Sequence, residues 1–160
     1  MTAHQSHHTV VIAGGGSAGI ATAASILGRH PGLDIAIIEP ADEHYYQPGW
    51  TMVGGGVFEK DETVRPEASV MPKGVTWLKA EVTGFDPENK AVEYADNGRV
   101  TYDVLVVAMG NRLAWEEIVG LEETLGRNGV TSNYRYDLAP YTWQLVQQTR
   151  EGRALFTQPP

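Results

Sequence analysis

Thr9-Val10-Val11-Ile12-Ala13-Gly14-Gly15-Gly16-Ser17-Ala18-Gly19 decides the fold, together with Asp34-Ile35-Ala36-Ile37-Ile38-Glu39, the stretch that answers it. The first is an apolar strand running into a glycine turn. Ile20 to Leu27 continues it as a helix, and the second stretch is another apolar strand ending in an acid. Glycines at 14, 16 and 19 keep the G-x-G-x-x-G spacing. Gly14 allows the tight turn out of the strand, Gly16 has no side chain to hold a pyrophosphate away from the backbone, and Gly19 lets the helix pack closely on the strand. The helix N-terminus offers free N–H groups and the positive end of its dipole to phosphates. Glu39, twenty residues after Gly19, stands where an acid accepts hydrogen bonds from a ribose 2′-OH. Glycine-rich turns are common, so the spacing alone says little. Strand, turn, helix, second strand and terminal acid in one unit point to a dinucleotide, without separating FAD from NAD.

Composition narrows the partners. The 160 residues are enough for one domain with a real core. Acids outnumber bases 20 to 12, a net charge of −8, which argues against nucleic acid. The absence of cysteine excludes disulfides, thiolate metal sites and cysteine nucleophiles within these residues. No stretch approaches the ~20 apolar residues of a membrane-spanning helix. No metal-ligand spacing is present, and no catalytic side chain is singled out. Residues 1–8, with His4, His7 and His8, read as a frayed, disordered terminus rather than a metal site or a signal peptide.

Beyond Glu39, the segment His44-Tyr45-Tyr46-Gln47-Pro48-Gly49-Trp50-Thr51-Met52-Val53-Gly54-Gly55-Gly56 is aromatic, polar and glycine-rich at once and keeps no clean period. It suits a loop lining a flat ligand and equally a surface loop packed by its own rings. Glu67 to Val70 is one helical turn before Pro72. Residues 80–102 read as a three-stranded antiparallel meander, with Asn97-Gly98 as the hairpin signal. Val104 to Ala108 is a continuous apolar run, expected to be buried on both faces. Gly110 follows at its C-terminal end, where backbone can approach a ligand. Residues 138–150 form the next expected helix, capped by Asp137 and ended by Gly152, and Arg153 to Thr157 begins a further strand. His30 and the acids Asp42, Glu43, Asp61 and Glu62 read as solvated, and His44 has no partner identifiable from sequence.

His44 to Pro48, followed by Trp50-Thr51 and the glycine cluster, resembles the sulfide:quinone oxidoreductase family, flavoproteins of the pyridine nucleotide-disulfide oxidoreductase superfamily. Arg65-Pro66, Val75-Thr76-Trp77, Val82-Thr83, Tyr102 to Gly110 and Ser132-Asn133-Tyr134 fit in order, so the resemblance spans about residues 9–158. It implies an α/β, Rossmann-like FAD-binding three-layer fold with a parallel sheet and the meander as an insertion. It implies FAD as cofactor, with Ser17 and Ala18 at the pyrophosphate, Glu39 at the adenosine ribose, and Gln47 and Pro48 approaching the flavin. Val82 matches a backbone contact at the adenine end, and Gly110 a second strand end facing the cofactor. Ala18 stands where glycine is frequent, and a methyl at a helix N-terminus is tolerable.

The family's reaction passes electrons from sulfide, through cysteine persulfide or disulfide chemistry and FAD, to quinone. It needs two cysteines and a membrane-facing C-terminal region, which these residues do not contain. The expectation is therefore a truncated N-terminal portion, inactive alone, of an enzyme that is cytoplasmic or peripheral to the inner face of a respiratory membrane. Its domains would be residues 9–135, binding FAD, and 136–160, starting a second domain. Exposure of a sheet normally covered by the rest of the enzyme would favour self-association. Competing readings are another flavoprotein of the superfamily, of the NADH:quinone dehydrogenase type, a non-catalytic dinucleotide-binding module, and a fragment that folds without cofactor.

Overall fold

The computed structural model describes residues 5–157. Along the chain run β1 (Gln5–Ala13), α1 (Ser17–Arg29), β2 (Ile35–Ile38), β3 (Glu43–Tyr45), α2 (Gly49–Gly54), β4 (Val64–Pro66) and α3 (Glu67–Val70). There follow β5 (Val75–Leu78), β6 (Val82–Asp86), β7 (Ala91–Tyr94), β8 (Gly98–Val107), α4 (Leu121–Thr124) and α5 (Ala139–Gln148). Short 3-10 turns occupy Lys60–Thr63 and Trp115–Glu117. The described residues divide into two compact units, 5–45 with 65–112, and 46–64 with 113–157.

The first unit is built on a six-stranded sheet in the order β5-β2-β1-β8-β7-β6. β5, β2, β1 and β8 are parallel, and β6-β7-β8 form the antiparallel meander. Alternation along the central strands creates two cores. Val10, Ile12, Ile35 and Ile37 face one side, where Ala23, Ile26 and Leu27 of α1 cover them. Val11, Ala36 and Ile38 face the other, against Val92, Val100 and Tyr102 of the meander. The helix thus covers one face, and residues of the meander, continuous with the sheet through β8, pack on the other. β5 is a fourth parallel strand at the edge.

Three expectations are corrected here. Gln5 to His8 are not disordered: they extend β1 by pairing in parallel with Arg99 to Tyr102. His8 is buried and its Nδ1 lies 2.8 Å from Asp34 Oδ1, while His7 Nδ1 lies 2.9 Å from Thr101 Oγ1. A histidine-rich start resembles a tag in composition, but here its rings have specific partners. His4 lies outside the described residues. Second, the meander's last strand and the apolar run 104–108 are one strand, β8, because β1 is long enough to accompany both halves. Third, β8 is not buried on both faces, since Val104 is 53% and Val107 59% exposed. The long helix of this unit, α1, covers β1 and β2 instead.

In the second unit α2 packs on α5. α2 ends at Gly54 with Gly55 as its cap, as the glycine run requires. A Cβ on Gly56 would fall 2.4 Å from the Trp143 ring, and one on Gly54 2.4 Å from Asn133 Oδ1. Tyr136 stacks obliquely on Trp50 at 6.2 Å, donates its hydroxyl to Asp61 at 3.0 Å and carries Lys60 Nζ over its ring at 4.9 Å. Asp61 is thus engaged rather than merely solvated. Asp137 does not cap α5. Leu138 holds the cap position without a side-chain bond, because Asp137 is drawn to Arg135, whose guanidinium holds the carboxyl below its usual range. The helix ends at Gln148, and residues 153–157 are irregular rather than a strand, with Leu155 and Phe156 exposed.

Candidate cofactor-binding site

The C-terminal ends of β1, β2 and β8 meet at one edge of the sheet. Gly14 donates its N–H to Ile38 O at 2.9 Å, Ala108 donates to Ala13 O at 2.8 Å, and Glu39 donates to Leu78 O at 3.0 Å. This is the edge at which ligands of open α/β sheets bind. The glycines there divide by what limits them. Gly14 has φ +103°, and its Cβ would lie 2.5 Å from Ala108 O. A Cβ on Gly19 would lie 1.9 Å from Gly14 O. Both are required by the fold itself. Gly16 is exposed, and a Cβ there meets nothing within 4 Å. Its openness faces solvent, as a phosphate approach requires.

Gly16 is also the N-cap of α1, with no side-chain cap bond and no acid in the first turn. Ser17 and Ala18 are exposed, so their N–H groups stay available to an anion. Glu39 accepts from Gly15 N–H through Oε2 and from Ala41 N–H through Oε1, both at 2.8 Å. These bonds fix the carboxylate at the tip of β2 and leave lone pairs on each oxygen for a ribose hydroxyl. The residues present therefore fit a dinucleotide: open backbone at Gly16, an uncapped helix start, and a pinned acid.

The other expected residues are placed as follows. Gly110 follows β8, exposed, with φ +76° and open space where a Cβ would be. Val82 opens β6, and its side chain packs on the meander-side core. Gln47 and Pro48 belong to the second unit, exposed, at the start of α2, where Pro48 is the N-cap and Gln47 O accepts from Trp50 N–H at 3.0 Å.

Sequence reasoning missed three members of this neighbourhood. A Cβ on Gly15 would lie 2.7 Å from both Cβ and Cγ of Glu39 and 3.0 Å from Glu67 Oε1. The spacing motif leaves that position free, and the only signal was a further glycine between Gly14 and Gly16. Glu67 is 2% exposed, a charged side chain inside the unit. Burial pushes its carboxyl above the usual carboxylate value, Glu39 adds to that, and His44 opposes it. His44 Nδ1 lies 3.2 Å from Glu67 Oε2, and its Nε2 lies 3.4 Å from Ser17 Oγ. No periodicity in the Arg65 to Val70 segment announces a buried acid.

An α/β domain with this strand order and this turn has the Rossmann-like architecture of the oxidoreductases. Residues 8–142 match the family described as pyridine nucleotide-disulphide oxidoreductase, and the chain belongs to that family. Among curated proteins it is similar to the mitochondrial sulfide:quinone oxidoreductase of Dictyostelium discoideum, 43% identical over 94% of this chain and 34% of that protein. It is 36% identical to the mitochondrial sulfide:quinone oxidoreductase of Mus musculus, over 97% of this chain and 34% of that protein. Among solved structures, the sulfide:quinone oxidoreductase of Aquifex aeolicus superposes with a TM-score of 0.72 at 27% identity, covering 89% of this chain and 32% of that one. The resemblance drawn from His44 to Thr51 and the collinear segments agrees with these relatives. The chain spans about a third of the length of the curated relatives it matches.

Proposed function

We propose that this chain is the FAD-binding portion of a flavoenzyme of the sulfide:quinone oxidoreductase type. The observation that carries the reading is the open backbone at Gly16 beside the uncapped start of α1, with Glu39 pinned opposite. FAD supplies the redox chemistry when bound. Ser17 and Ala18 N–H groups hold the pyrophosphate, Glu39 accepts from the adenosine ribose, and Gly14, Gly16 and Gly19 allow the close approach. Val82 and Gly110 serve the adenine end and the second strand end. Gln47 and Pro48 serve the flavin loop.

In the whole enzyme of this reading, electrons pass from sulfide to quinone, with peripheral association with a membrane through residues outside this chain. No helix among the described residues is long and apolar enough to cross a membrane. The chain has no cysteine, so a thiol step on sulfide also falls to residues outside it. The exposed Val104 and Val107 on β8 give these residues a surface for self-association, which sedimentation would detect as a concentration-dependent mass.

A fluorescence titration tests the reading. FAD added to the purified chain should give saturable binding, and sulfide should then leave the flavin oxidised. No binding up to millimolar FAD would remove the proposal, and bleaching by sulfide would overturn the division of labour.

A further inference from the structure

The arrangement around Glu67 is more than a dinucleotide site requires. Its carboxyl is almost wholly buried, and its Oε1 has no hydrogen-bond partner. That oxygen lies against Gly15, directly under the glycine turn. The backbone fixes it there, because Glu67 N–H donates to Asp42 O at 2.8 Å. A buried carboxylate without a counter-charge is costly, and the neighbouring Glu39 carboxyl, bonded to Gly15 N–H, makes it costlier. The titratable groups that act on Glu67 are Glu39 at the end of β2 and His44 on β3. The Asp42 carboxylate is occupied by Lys79. His44 is therefore the group in a position to carry the balancing positive charge.

We propose that His44, oriented by the buried Glu67, is a further ligand of the dinucleotide pyrophosphate, donating from Nε2 at the first turn of α1. The inference rests on the dinucleotide reading above. Glu67 accepts from Nδ1–H, which fixes the ring and leaves Nε2 as the outward nitrogen. Nε2 faces Ser17 Oγ at 3.4 Å, too long for a strong bond, so its capacity is unspent. An anion at the N-terminus of α1 draws a proton onto Nε2. The imidazolium then donates a charge-assisted bond to a phosphate oxygen while Glu67 neutralises it from behind. His44 thus makes the contact, and Glu67 acts through it as a positioning residue.

His44→Asn is the informative variant, because its amide can still donate to Glu67 from near the Nδ1 position and nothing replaces Nε2. Titrations use FAD and ADP-ribose, whose pyrophosphate does not titrate near neutrality. H44N should weaken both by about tenfold or more, the scale of a charged hydrogen bond. Wild-type affinity should fall as pH rises, and that slope should disappear in H44N and flatten in E67Q. Long-range nitrogen–proton spectra of the wild-type chain should show His44 protonated on both ring nitrogens once ADP-ribose is added. Unchanged affinity and pH slope in H44N, or His44 signals unmoved by ADP-ribose, would overturn the proposal. The wild-type spectra decide it even if a variant fails to fold. A wild-type chain that binds neither FAD nor ADP-ribose fails the underlying reading instead, a result that no variant is needed to recognise.

Discussion

The Glu39 carboxylate accepts the Gly15 N–H at 2.8 Å, and a methyl on Gly15 would stand 2.7 Å from Glu39 Cβ. One residue of the turn thus both anchors the acid and must be small for the acid to lie there. Gly15→Ala should push Glu39 off the tip of β2 and crowd Glu67. Overpacking of this kind costs about 1–3 kcal/mol. Thermal denaturation should show the lower midpoint, and FAD affinity should fall with it. An unchanged midpoint would mean that the turn relaxes freely.

Gly19 and Gly14 make a tighter relationship. A Cβ on Gly19 would overlap Gly14 O at 1.9 Å, and that obstacle is backbone rather than a flexible side chain. Gly19→Ala should separate α1 from β1 and cost more than about 3 kcal/mol, the upper range of overpacking. Circular dichroism during urea unfolding would report it as a large drop in midpoint or as loss of the folded baseline.

Glu67 sets a pH dependence of stability with a definite sign. Its carboxyl is raised above 4.5 by burial first, with Glu39 adding and His44 opposing. Above 4.5 the folded chain then holds more proton than the unfolded chain. This contribution is fully present below that value and is lost as pH rises through the raised folded value. Asp86 and Asp137, held low by Arg99 and Arg135, act oppositely, losing their contribution as pH falls through values below 3.8. The Asp137 pair is exposed and adds little, and the Asp86 pair is only half-buried. Glu67→Gln should flatten the fall above 4.5, measured as urea midpoints from roughly pH 4 to 8. A wild-type midpoint that rises with pH across that window would contradict this account.

His8 tests the extension of β1. Its ring is largely buried, with Nδ1 2.8 Å from Asp34 Oδ1. His8→Ala should lose that bond and its packing, about 1–3 kcal/mol for a hydrogen bond to a charged group and the desolvated partner left behind. Chemical denaturation measures it. A frayed terminus would give no change.

The sequence made the βαβ unit, the acid and the meander legible, because each rests on local rules: apolar alternation, glycine spacing and an Asn-Gly turn. The start of β1 was hidden because pairing with Arg99 to Tyr102 is non-local, and Gln5-Ser6-His7-His8 carries no strand periodicity. The exposure of Val104 and Val107 was hidden because an apolar run says which residues favour burial, not which layers exist to cover them. Glu67 and His44 lie 23 residues apart in sequence and meet only through the fold. Asp137 reads as a cap locally, yet Arg135 two residues earlier competes for it successfully.

The central claim is that the Gly14 to Gly19 turn with Glu39 holds FAD. Its most direct test is the visible spectrum of the chain after incubation with FAD and desalting, beside that of Gly16→Val. The account predicts flavin bands that stay with the wild-type chain. In G16V it predicts their loss while the chain stays folded, with a cost of about 1 kcal/mol for the poorer N-cap of α1, because the new side chain fills the open space at Gly16 that the phosphate needs. A wild-type chain that emerges colourless, or a G16V chain that retains as much flavin, would contradict it.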